Sequence, residues 1–130
     1  MSTVESVAAR DNARNPIGWF ISWGVPILTI FAVNVLILQS EVKMWAVVTS
    51  FAWIGTACLA NAMRCSRVHC WFTGPWCLLT AACLLGVALH TPIIGGLSFT
   101  TVANFGGASA IALWLLPELF FGKYFLARDT

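Results

Sequence analysis

Charge placement constrains this chain more than any other feature. Asp, Glu, Lys and Arg make up 9% of the sequence and stand only at the edges of long apolar runs. No such charge falls in the 26 residues between Arg14 and Glu41, the 20 between Lys43 and Arg64, or the 50 between Arg67 and Glu118. The last run is broken near its middle by His90-Thr91-Pro92 and Gly95-Gly96. A helix needs about 20 apolar residues to cross a bilayer, so four crossings fit and little chain is left over. With 59% hydrophobic residues, a soluble domain of ordinary composition is excluded. The expected fold is an all-α integral membrane protein, a four-transmembrane-helix bundle in the N-in/C-in sense. The expected spans are 17–38, 44–63, 71–90 and 99–121, forming a transmembrane domain over 17–121. A polar cytoplasmic segment, 1–16, precedes it and a cytoplasmic tail, 122–130, follows.

The flanking charges set the expected orientation. Four crossings put Arg10, Arg14, Arg64, Arg67, Lys123 and Arg128 on one side and Lys43 alone on the other. By the positive-inside rule the first side is cytoplasmic, which places the chain in a cell inner membrane as a multi-pass protein. The first apolar run, Ile17 to Leu38, is longer than a signal-peptide core, and no small-x-small cleavage site follows it, so it reads as a retained helix. The residues before it are expected to be mobile, with Thr3–Ala13 able to form a short surface helix. Trp19, Trp23, Trp71, Trp76 and Tyr124 fall at the inner interface and Trp45 at the outer one, as amphipathic rings do. Trp53 and Trp114 fall deeper and are expected to pack between helices.

Small residues spaced by four mark expected helix contacts. They are Ala103 and Gly107, Gly106 and Ala110, and Ala108 and Ala112 on the fourth span, and Ala81, Ala82 and Gly86 on the third. Pro26, Pro75 and Pro117 either start or kink helices. Pro75 suits a first-turn position with Thr73 or Gly74 as cap, which would make residues 64–74 a structured turn.

The densest chemistry lies in and around that turn. All five cysteines fall between positions 58 and 83. Seven residues are nearly two helical turns, so Cys58, Asn61 and Cys65 share a face of the second span. If the third helix starts early, Cys70, Thr73 and Cys77 share a face of that one, and the two stripes can meet. Thiolate and imidazole ligands suit Zn(II), Cu(I) and, by the same softness, Hg(II). The candidate metal ligands are therefore Cys58, Cys65, His69, Cys70 and Cys77, with a soft metal ion (Hg, Cu or Zn) as the one cofactor class these residues suggest. Arg64 and Arg67 would favour thiolate at neighbouring cysteines while repelling a cation. The spacing matches no standard zinc module. The same residues also fit a structural account, with free cysteines as small apolar packing groups and His69 and the arginines anchoring the turn to anionic headgroups.

Glu118 is the one acidic residue inside a span. Its shallow depth favours an interfacial pair with Arg64 or Arg67 over a proton relay. Small multidrug exporters carry a carboxylate well inside the first span, and this first span has none. Asn34, His90 and Asn104 fall toward the outer side, where helix–helix hydrogen bonding is their expected use. His69 and His90 lie on opposite membrane faces and cannot share a haem. No phosphate-binding glycine loop, His-Glu-x-x-His or nucleophile elbow is present, so no enzyme activity is expected.

The run NAMRCSRVHCWFTGPWCLL, residues 61–79, resembles a group of small bacterial four-helix inner-membrane proteins with an Arg-Cys-x-Arg-x-His-Cys-x-x-Thr-Gly-Pro turn. Their association is with heavy-metal resistance. The resemblance implies that Cys65, His69, Cys70 and the Thr73-Gly74-Pro75 turn are central. Mercury-uptake proteins carry a vicinal cysteine pair in their first helix, and this chain departs from that pattern. The expected function is binding or transport of a soft heavy-metal ion through Cys and His ligands. Two alternatives stand beside it: a non-catalytic accessory subunit of a larger membrane complex, and a thiol redox sensor using Cys65 and Cys70. The expected partners are the lipid bilayer and either further copies of the chain or that larger complex; nucleic acid is not among them, since a net charge of +2 reflects orienting flanks.

Overall fold

A computed structural model describes residues 3–36, 40–92 and 96–122. Every regular element in it is helical: α1 (Thr3–Ala9), α2 (Pro16–Val35), α3 (Ser40–Cys65), α4 (Val68–Ala88) and α5 (Phe99–Phe121), with one 3₁₀ turn at Asn12–Arg14. The four helices α2 to α5 are each long and apolar enough to cross a membrane. They match the four expected spans, with shifted ends. The last residues expected in the first span, Ile37 and Leu38, lie outside the described residues, as do Lys123, Tyr124 and Arg128.

The helices form an open row. The antiparallel pair α3 and α4 is central, α2 packs on α3, α5 packs on α4, and α2 scarcely meets α5. Half of the most apolar stretch of α4 is buried, against 6% for α5. The central core is Val47, Val48, Phe51, Cys77, Ala81 and Leu84, with Ile30 and Val33 of α2 and Phe99, Val102 and Ala103 of α5 leaning on it.

Two opposed glycines bring the central pair together. A Cβ on Gly55 would stand 2.9 Å from the Gly74 carbonyl oxygen and 2.8 Å from Leu78 Cγ, and one on Gly74 would stand 3.2 Å from the Leu59 nitrogen. Gly106 of α5 sits equally close against Thr80 of α4. The small-residue contacts expected on the last span are realised at Gly106, and the close α3–α4 approach at Gly55 and Gly74 adds to them. Backbone proximity of this kind matters where lipid gives helices no hydrophobic reason to associate. A Gly55→Val substitution will cost about 1–3 kcal/mol, the usual range for overpacking, because a backbone oxygen cannot swing aside; unfolding by steric trapping in detergent micelles measures it.

The turn between α3 and α4 is shorter than expected. Only Ser66 and Arg67 separate the helices. Ser66 is left-handed, with φ 53°, and its N–H donates to the Ala62 carbonyl at 2.8 Å, which ends α3 as left-handed residues commonly do. Arg67 is extended and starts α4 at Val68. Pro75 therefore lies inside α4, on its exposed side, rather than in a first turn. The helix starts early because the left-handed Ser66 reverses the chain in two residues, and Gly74 serves packing instead of capping.

The start of α2 has a register fault. Residues Phe20–Gly24 are π-helical, with the Val25 N–H donating to Phe20 O. Pro26 has no N–H to give. Both donors that would serve Ile21 O are thereby lost, and the Trp53 Nε1–H of α3 supplies the replacement at 3.2 Å. A backbone carbonyl in an apolar layer needs such a partner. Trp53 is thus a hydrogen-bonding tie on an exposed face rather than a packed interior ring. Asn34 differs from expectation as well: its amide donates to Ile30 O of its own helix at 2.8 Å, not across helices.

Candidate functional site

The short turn brings two thiols together. Cys58 projects from α3 and Cys70 from α4, side by side and with under 2% exposure each, in a cluster completed by Ala62. Two N–H donors flank the sulfurs. Trp23 Nε1 of α2 donates to Cys58 Sγ at 3.2 Å, and Asn61 Nδ2 lies 3.7 Å from Cys70 Sγ. The π turn of α2 carries Trp23, and register faults of this kind often re-aim a functional side chain.

Asn61 ties the pair to the N-terminal segment. Its amide Nδ2 also donates to Asp11 Oδ1 at 2.9 Å, and its Oδ1 accepts the Asn12 N–H at 2.9 Å. Asp11 caps the 3₁₀ turn by accepting from the Ala13 N–H at 2.9 Å, and it is almost wholly buried, as is Ala8 of α1. The segment read from sequence as mobile therefore covers the thiol pair from one end of the bundle. A polar stretch folds down here because the α3–α4 turn offers it a half-buried cation and a buried amide.

That cation is Arg67. Its Nη1 meets Asp11 Oδ2 at 2.8 Å and its Nε meets Glu118 Oε1 at 2.8 Å. Burial by itself would lower the guanidinium's proton affinity, but Glu118 and then Asp11 outweigh it and hold Arg67 above its ordinary range, so it stays charged. His69 Nδ1 lies 2.6 Å from the same Glu118 oxygen, and its ring stands edge-on to Trp114 with centroids 6.1 Å apart. One arginine and two carboxylates thus lock three parts of the chain together: the N-terminal segment, the α3–α4 turn and α5.

The expected metal ligands divide among four places. Cys58 and Cys70 face each other. Cys65 donates its S–H to Asn61 O at 3.1 Å and does not join the pair. Cys70's thiol partner is thus Cys58, whereas the redox-sensor alternative set Cys70 with Cys65. Cys77 sits in the separate apolar core. His69 belongs to the charge network, not to the thiols. Of the two arginines considered for Glu118, Arg67 makes the pair and Arg64 is exposed on α3. Among the described residues no group of three or more Cys, His, Asp or Glu side chains is placed to hold one metal ion. Asp11 and the role of Trp23 escaped the sequence reading. The available signals were faint: an Asp followed by Asn at a capping position, and a tryptophan three residues before a proline. Comparison with protein-family models, with curated proteins and with solved structures finds no match to this chain.

Proposed function

We propose that this chain is a multi-pass inner-membrane protein with cytoplasmic termini that binds or moves a soft heavy-metal ion of the mercury, copper or zinc class. The observation that carries this reading is the buried Cys58–Cys70 pair. Sulfur ligands select soft ions, and two thiols placed beside the N–H groups of Trp23 and Asn61 have the partners a thiolate needs. The ligand set is narrower than the sequence suggested. His69 and Cys65 are engaged elsewhere and support the site through Glu118 and Asn61. The basic side of the bundle carries the covering N-terminal segment, so an ion would reach the pair from the cytoplasmic end or leave by it.

The test is metal content. Detergent-purified protein exposed in turn to Zn, Cu and Hg will retain a soft ion, and a Cys58→Ser/Cys70→Ser variant recovered from the membrane in equal yield will not. Equal metal content in the two, by elemental analysis, would end this reading. The accessory-subunit alternative draws on one observation. The outward face of α5 is rich in exposed Phe105, Leu119 and Phe120, which suits lipid or a partner helix alike; stoichiometric co-purification of a second protein would favour it.

A further inference from the structure

The pair offers two sulfurs and nothing more. Cys65, His69 and Cys77 are committed to Asn61, Glu118 and the apolar core respectively. Zn(II) takes four ligands in a tetrahedron and would be left two short at a pair that is almost wholly buried. Heavy d10 ions are content with two thiolates in a line, which leaves Cu(I) and Hg(II).

Charge decides between those two. A Cu(I) ion between two thiolates leaves one net negative charge. An Hg(II) ion between two thiolates leaves none. The adjoining network already sets two carboxylates, Asp11 and Glu118, against the single guanidinium of Arg67. With His69 neutral, that network carries excess negative charge; with His69 protonated, it is balanced. Among the described residues, neither state of that network holds a surplus cation to offset a buried cuprate, and an uncompensated buried charge is costly.

We propose that Cys58 and Cys70 form a linear two-thiolate site selective for a divalent soft ion of the mercuric class over Cu(I) and Zn(II), an inference that rests on the soft-ion reading above. Binding forms two metal–sulfur bonds and releases two S–H protons to water, with no electron transferred. Trp23 Nε1 and Asn61 Nδ2 remain as donors to the bound thiolates. Thr73 lies one turn beyond Cys70, and its hydroxyl is the buried side-chain oxygen without a partner among the described residues. Three residues along a helix put it on the Cys70 side, where it adds a further donor near the site.

The experiment uses the full chain in detergent with Cys65, Cys77 and Cys83 changed to serine, so that the pair alone remains. Hg(II), Cu(I) and Zn(II) are each offered against excess glutathione. The expected result is one Hg(II) retained per chain, with two sulfur neighbours by X-ray absorption, and neither Cu(I) nor Zn(II) retained. Adding Cys58→Ser or, separately, Cys70→Ser will weaken Hg(II) retention by about 100-fold or more, because one of two linked ligands is lost. Preferential uptake of Cu(I) or Zn(II), or three or four sulfur neighbours around Hg(II), would overturn the linear mercuric site and leave the soft-ion reading standing. Failure of the unmodified chain to retain any of the three ions would overturn both.

Discussion

Replacing Arg67 by methionine will destabilise the protein by about 3 kcal/mol, the lower end of the cost of stripping a buried ion pair of one partner. Arg67 bridges Asp11 and Glu118 at 2.8 Å each, and the Asp11 side chain has no solvent exposure. Without the guanidinium the two carboxylates lose the one group that bridges them at the turn end of the bundle. The lower figure is the fitting one because the Arg67 and Glu118 side chains keep 15% and 21% exposure, which lets water screen part of the loss. Lysine will recover little of it, since a single ammonium cannot serve two carboxylates as the planar fork does. The diagnostic variant neutralises all three groups at once: Arg67→Met with Asp11→Asn and Glu118→Gln will regain most of the lost stability. If the triple variant is no more stable than Arg67→Met alone, the network is not an electrostatic lock. Steric trapping or thermal unfolding in a fixed detergent reads all of these.

Changing Asp11 to alanine will expose the thiol pair. Asp11 accepts from Asn61, Ala13 and Arg67 in one buried position, and each charge-assisted hydrogen bond of that kind contributes about 1.5–3 kcal/mol. Losing about 2 kcal/mol of attachment raises the population of locally opened molecules roughly 30-fold. The labelling of Cys58 and Cys70 by a small maleimide will rise by the same factor when opening is fast. Cys83, half-buried on α4 and far along the helix from the turn, is the internal control and will label at an unchanged rate. A uniform rise at all cysteines would mean global destabilisation, and no rise at Cys70 would mean that the N-terminal segment does not cover the pair. Asp11→Asn will fall between the two, because an amide oxygen keeps the bond from Asn61 but loses the attraction of Arg67.

Both predictions depend on residues that differ in how plainly they read from the chain. Glu118 announces itself as a lone carboxylate in an apolar run, and a basic partner at the α3–α4 turn follows from their shared side. The choice of Arg67 over Arg64 does not follow. It comes from the left-handed Ser66, which turns Arg67 inward and leaves Arg64 on the outer face of α3. The cysteine stripes likewise read from a seven-residue spacing. Which thiols meet depends on the turn length, and a turn of only two residues sets Cys70 beside Cys58 and leaves Cys65 to the Asn61 carbonyl. Asp11 reads as part of a polar tail, since nothing local in Arg10-Asp11-Asn12 predicts burial.

The count, length and apolar character of the four long helices were determined by the sequence alone, because the free energy of moving apolar residues out of water adds up locally along the chain. Tertiary structure decided which polar side chains meet: Cys58 with Cys70, Arg67 with two carboxylates 51 and 56 positions away, Trp23 with a sulfur on the next helix. Those meetings depend on the rotation and depth of one helix against another. Gly55, Gly74 and Gly106 set them by how closely they let backbones approach, and close approach is a property of facing surfaces that no single stretch of chain contains.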